Sequence, residues 1–202
     1  SIVMPAPSAG TPEEAKARAD ELAAIQTRMQ STYATGKYTI DGKALNLDEL
    51  SNIVEQSRDP KKLKEAWEGW RTVSPPMRDD YARMVEIGNE GARELGFDNI
   101  ADMWLSNYDM PPEQMSAEVE RLWSEVEPLY AELHCYVRGK LNAKYGDSVQ
   151  AKTGPIRADL LGNMWAQDWT NIYEIVAPPK ADPGFDLTDR LKAKKFDALQ
   201  MV

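Results

Sequence analysis

Apolar residues recur at intervals of three and four along most of this chain, and prolines and glycines cut the pattern into pieces of helical length. Thr11, Pro12 and Glu14 supply an N-cap, a first-turn proline and a capping-box acid, so a helix is predicted over about 12–33, with Gly36 closing it. Tyr38 to Leu45 carries the turn pair Asp41-Gly42 between short β-capable residues and predicts a brief hairpin or loop at 38–45. Short helices are expected at 47–56 and from Asp59-Pro60 through Leu63, Trp67 and Trp70. Ser74-Pro75 opens another, with Tyr81, Met84, Val85 and Ile87 inward and Gly96 as its stop, and a further short helix is expected at about 99–108.

The longest element begins at Pro111-Pro112. Val119, Leu122, Trp123, Val126, Leu129, Tyr130, Leu133, Tyr136, Val137 and Leu141 recur at threes and fours and predict one continuous buried face ending before Gly146. Pro128 lies inside it and removes a backbone hydrogen bond, which predicts a kink near 124–127. From Ile156 the stripe Leu160, Leu161, Met164, Trp165, Trp169, Ile172, Tyr173 and Val176 reads as the next helix, stopped by Pro178-Pro179, and 187–202 reads as a last amphipathic helix. No internal repeat or low-complexity tract interrupts the sequence. The pattern predicts an all-α fold, an elongated multi-helix assembly forming a single helical region over 1–202.

Composition narrows the function classes. With 42% hydrophobic and 28% charged residues the chain is that of an ordinary folded protein, and a net charge of −9 provides no basic field for nucleic acid. No apolar run approaches the length of a membrane span, and the first residues lack the pattern of an export signal. One cysteine, Cys135, excludes an internal disulfide and reads as core packing on the long helix.

The one histidine, His134, decides the candidate chemistry. Zinc sites need three or four converging ligands and diiron bundles need two Glu-x-x-His pairs, so neither can be assembled; Glu132 lies two residues before His134 and points away from it on a helix. Metal ligands and catalytic residues are therefore assigned to none of the side chains, and His134 reads as structural. Glu118, Glu125 and Glu132 recur every seven positions on the outer side of the long helix, where a solvated face explains them better than an acid/base pair. The pairs Trp67/Trp70 and Trp165/Trp169 fit inward stripes and read as core. Tyr173 ends an apolar stripe, and its hydroxyl must find a partner or reach a cavity.

Several ordered segments carry a family resemblance: Met4-Pro5-Ala6-Pro7, Gly36-Lys37-Tyr38, Ala66-Trp67-Glu68-Gly69-Trp70-Arg71, Glu127-Pro128-Leu129-Tyr130, Leu133-His134 with Tyr136-Val137-Arg138, Lys144-Tyr145-Gly146, and the run from Gly154 to Tyr173 with its two tryptophans. The chain resembles the angiotensin-converting-enzyme, or peptidyl-dipeptidase A, family of zinc peptidases over essentially its whole length. That likeness implies a largely helical peptidase clipping dipeptides from peptide carboxyl termini, with a zinc held by two histidines and a glutamate, another glutamate as general base, and chloride ions tuning the cleft. It implies that this stretch is a non-catalytic, cleft-lining portion, with no cofactor of its own, partnered by a missing catalytic half of the same polypeptide and by peptide substrate in the complete enzyme. By position in the likeness, Tyr173 and Trp169 are the chloride-site candidates and Asp48 borders the substrate pocket.

Departures from the family pattern refine the expectation. Trp104-Leu105 stands where animal members carry Trp-Arg at a first chloride site, the loop around 38–43 lacks both cysteines, and Arg157-Ala158-Asp159 replaces the usual Pro-Ala-His. These imply a weak or absent first chloride and a bacterial-type member working in the periplasm or outside the cell. The alternative is a stand-alone helical binding module derived from the family. A large uncovered apolar patch would favour the missing half.

Overall fold

Helices in this molecule start where the sequence supplies an acceptor for backbone N–H groups that have no partner of their own. In the computed structural model, which describes residues 4–179 and 187–194, α1 (Pro12–Ala34) and α2 (Leu47–Gln56) each open with a reciprocal capping box. Thr11 Oγ1 accepts from the Glu14 N–H at 3.2 Å while the Glu14 carboxylate accepts from the Thr11 N–H at 2.8 Å, and Asn46 and Glu49 repeat the exchange at 2.9 and 3.0 Å. Asp59 caps α3 (Pro60–Trp70) and Asn99 caps α5 (Ile100–Leu105). Each such cap contributes about 1 kcal/mol. A 3₁₀ turn at Pro75–Met77 leads into α4 (Arg78–Glu94), and α6 (Pro112–Tyr145), α7 (Tyr173–Val176) and α8 (Leu187–Ala193) complete the described helices. Strands β1 (Tyr38–Ile40) and β2 (Lys43–Leu45) pair antiparallel, Tyr38 opposite Leu45, across a turn in which Asp41 and Gly42 both take positive φ. Among the described residues the fold is all-α apart from this hairpin.

Three apolar clusters join the elements. Leu22 and Ile25 of α1 meet Ile87 of α4, with Met4 and Ala6 of the leading segment against them. Arginine-carboxylate pairs cross-link the two helices along their length: Arg18 to Glu90 at 2.6 Å, Arg83 to both oxygens of Glu21 at 2.7 and 3.1 Å, and Arg28 to both oxygens of Asp80 at 2.8 and 2.6 Å. The second cluster holds the hairpin to α2 and α3 through Leu45, Leu50, Val54, Ala66 and Trp70, with Met164 reaching in from a distant segment. Tyr38 lies against Gly69 of α3 so closely that a Cβ there would fall 2.2 Å from its ring. The third cluster joins Leu63 of α3 to Val137 and Leu141 of α6 through Ile156, Leu160, Leu161 and Ile172.

Residues 156–172 correct the expected helix. Only short 3₁₀ turns form, at Ala158–Leu160 and Thr170–Ile172, followed by the single turn of α7. Side chains that compete with the helix for backbone groups explain the difference. Asn163 Oδ1 accepts from the Trp165 N–H at 2.8 Å, Asp168 Oδ1 accepts from the Thr170 N–H and hydroxyl at 2.8 and 2.6 Å, and Asn171 Nδ2 donates to the Gly162 carbonyl at 2.8 Å. Gly162 at φ 76° and Ala166 at φ 55° bend the chain out of the helical region. The apolar residues of this run are spaced for a helix, yet they fill the core from an irregular backbone.

Other expectations also change. Tyr81 is exposed, not inward; α6 itself spans Pro112–Tyr145 with Pro128 inside it, as its apolar spacing predicts. Trp70 is core, Trp67 and Trp169 are half-buried, and Trp165 is exposed. Cys135 is exposed, because it lies on the side of α6 away from Val137 and Leu141. Of the predicted terminal helix, 187–193 is seen and 195–202 lies outside the described residues. Among the described residues no helix is long and apolar enough to cross a membrane.

Two predictions follow from this packing. Gly69→Ala forces Tyr38 to move and lowers unfolding free energy by roughly 1–3 kcal/mol, whereas Gly139→Ala, which meets nothing within 4 Å on α6, raises it by about 0.5–1 kcal/mol; urea melts of both variants measure the contrast. Hydrogen bonds from Arg83 and from Arg28 hold the Glu21 and Asp80 carboxyls below their ordinary range. Depressed folded-state values mean that this stabilisation is present above the unfolded pKa and disappears as pH falls through the folded one. Melting temperature is expected to drop below the ordinary carboxylate range, and to drop less steeply in Arg28→Gln/Arg83→Gln.

Candidate functional site

Two sets of residues three and four apart on α6 make a single apolar seam with two different environments. Near its C-terminal end Val137 and Leu141 are fully buried beneath the 156–172 segment. Towards the N-terminus the same seam is open: Val119, Leu122, Trp123, Val126, Leu129, Tyr130, Leu133 and Tyr136 are each between 40% and 75% exposed. The face predicted to be continuously buried is thus buried only where the chain supplies a cover. Large apolar side chains exposed side by side along one helix face are the signature of an interaction surface.

Aromatic rings gather where the covered and open parts meet. Tyr130 lies 5.9 Å from Trp123, 6.0 Å from His134 and 6.4 Å from Trp169, and His134 lies 6.4 Å from Trp169, all between ring centroids and all tilted. Such offset pairs favour a fixed arrangement beyond their area alone. Trp169 Nε1 donates to the Ala166 carbonyl at 3.0 Å, which fixes the indole, and Tyr136 OH donates to the Val176 carbonyl at 2.9 Å, which ties α7 to α6. Tyr173 is the first residue of α7 and is 45% exposed. Trp169 and Tyr173 therefore sit on the two sides of the 170–172 turn, with Trp169 beside the aromatic edge of α6. They are not one turn apart on a continuous helix.

His134 is neither buried in a core nor placed to hold a metal. Arg138 Nη1 lies 3.3 Å from His134 Nδ1, and since a guanidinium can only donate, the Nδ1 lone pair is taken. Among the described residues no three His, Cys, Asp or Glu side chains converge as a metal site. The donor set here does not fit a zinc ion, and no chemical step passes through one. What the arrangement can do is bind or line: it presents apolar and aromatic surface with a polar rim.

Asp48 is exposed in the first turn of α2. Arg58, just beyond the other end of that helix, grips the 170–172 turn by donating to the Asn171 carbonyl at 2.6 Å. Asp48 thus lies at the opposite end of α2 from the Arg58 grip on that turn.

The sequence pattern missed a set of arginines that position the site. Arg58 also donates to the Glu55 and Ser57 carbonyls at 2.9 and 2.7 Å. Arg71 stacks 3.3 Å from the Trp67 ring centroid and donates to the Trp67 and Met164 carbonyls at 2.9 and 2.8 Å; burial pushes its guanidinium below the ordinary value. Arg138 fastens the 152–154 loop to α6 through the Lys152 and Gly154 carbonyls, each at 3.0 Å. Arg157, noted as a departure, pairs with the buried Asp159 through two bonds of 3.1 and 2.6 Å and reaches the Pro60 carbonyl at 3.2 Å. Buried Gln150 completes the turn by accepting from the Arg157 N–H at 2.9 Å. The signal available in sequence was weak: arginines beside helix ends, next to a segment rich in Gly, Asn and Asp.

Comparison with known proteins gives this geometry its context. The model of the angiotensin-converting enzyme family, peptidase M2, matches residues 6–202. Angiotensin-converting enzyme of Bos taurus is 39% identical over 182 residues, covering 88% of this chain and 14% of the relative; that of Rattus norvegicus is 40% identical over 182 residues, with the same coverage. The enzyme of Theromyzon tessulatum is 36% identical over 188 residues, covering 90% of this chain and 30% of its own length. The chain thus spans less than a third of each of these relatives. With nearly its whole length inside the family match, the chain belongs to the angiotensin-converting enzyme family of peptidases.

Proposed function

We propose that this chain forms a cleft-lining, non-catalytic portion of a zinc-dependent peptidyl dipeptidase, an enzyme releasing dipeptides from the carboxyl ends of peptides, and that it is inactive alone. The observation that carries the reading is the open seam of α6. It continues an interface already built at Val137 and Leu141, and it belongs to a family whose members are several times longer. The one histidine of the sequence supports assigning the zinc ligands and the general base to another part of the complete protein. In this reading Trp169 and Tyr173 border a chloride site completed from that other part, and Asp48 faces the substrate pocket. The cysteine-free hairpin loop supports a bacterial-type member acting in the periplasm or outside the cell.

Zinc added to the purified chain is expected neither to raise its melting temperature nor to release dipeptide from a blocked tripeptide. Joined to the family region bearing the zinc motif, the same chain is expected to give zinc-dependent release; cleavage by the chain alone would refute the assignment. In the complete enzyme, Tyr173→Phe is expected to change chloride activation more than thermal stability. Superimposable chloride curves for the variant and wild type would remove Tyr173 from that site.

A further inference from the structure

The seam of α6 has a charge pattern as well as an apolar one. Val119, Val126 and Leu133 share one heptad position, Leu122, Leu129 and Tyr136 a second, and Trp123, Tyr130 and Val137 a third. Glu118, Glu125 and Glu132 follow one edge of this strip at intervals of seven, and Glu120 and Glu127 follow the other. Arg121 bonds to Glu118 and Glu125 on the same helix, and Lys140 lies 5.3 Å from the Tyr136 ring at the covered end of the strip. An apolar strip about 25 Å long therefore runs between two rows of carboxylates.

We infer that this strip is the docking surface for an amphipathic helix with basic edges, supplied by the remainder of the polypeptide in the complete protein. The inference rests on the reading above that such a remainder covers α6. Three observations select the occupant. The strip is continuous with the interface at Val137 and Leu141, so a covering element extends a contact the fold already makes. Its heptad spacing matches helix-on-helix packing at a shallow angle. The carboxylate rows are matched by lysines or arginines and opposed by acids. That last point argues against a second copy of this chain: two such strips facing each other, parallel or antiparallel, bring glutamates against glutamates.

The test uses two synthetic helical peptides of about three heptads with identical leucine seams, one edged with lysines and one with glutamates, titrated into the chain at low salt. The lysine-edged peptide is expected to bind at least about tenfold more tightly, with the difference shrinking at high salt. Hydrogen exchange should slow in residues 119–136. The triple change Glu118→Lys/Glu125→Lys/Glu132→Lys, on an exposed face, is expected to abolish or reverse the preference. Leu129→Ser is expected to weaken both peptides. Equal binding of the two, binding of neither, or a preference unmoved by the triple change would overturn the inference, as would stable dimerisation of the chain alone at neutral pH. These outcomes are independent of catalysis, so failure here leaves the peptidase assignment to its own assay.

Discussion

The burial of Val137 and Leu141 of α6 beneath residues 156–172 is the contact on which the rest of the structure depends. It joins a long helix to α3 through Leu63, and it lies beside the contacts that place Trp169 and α7. Removing the Leu141 side chain would leave a cavity costing about 2–5 kcal/mol beneath a segment that α6 also holds through Tyr136 and Arg138. Everything proposed for the aromatic edge depends on that fastening, since Tyr130 and His134 belong to α6 and Trp169 belongs to the segment laid over it.

Much of the scaffold was legible in the sequence because its signals are local. Thr11/Glu14 and Asn46/Glu49 are capping boxes within four residues, Asp41-Gly42 is a two-residue turn, and helix boundaries predicted from them agree with α1, α2 and the hairpin. Residues 156–176 failed for the opposite reason. Their apolar spacing is helical, but the decision was made by Asn163, Asp168, Asn171 and Gly162, whose bonds to backbone compete with helix hydrogen bonds and only collectively outweigh them. Periodicity likewise names the face of α6 that seeks burial, and it has no means of saying what covers it.

At the candidate site the outcome is mixed for similar reasons. Trp169 lies against Tyr130 and His134 of α6, Tyr173 opens the short helix that follows the 170–172 turn, and Asp48 lies on a separate element. Cys135 and the wrongly inward Tyr81 were misread because an apolar neighbour at helical spacing does not guarantee a partner across from it. The arginine contacts were invisible because their partners are up to 113 residues away along the chain.

Those arginines bind main-chain carbonyls at Asn171, Met164, Lys152, Gly154 and Pro60. A carbonyl is the same whichever side chain its residue bears, so the fastening is blind to sequence on the accepting side. Loops held in this manner can exchange residues while keeping their course, and the mouth of a cleft can be re-lettered for new ligands without redesigning the frame that carries it.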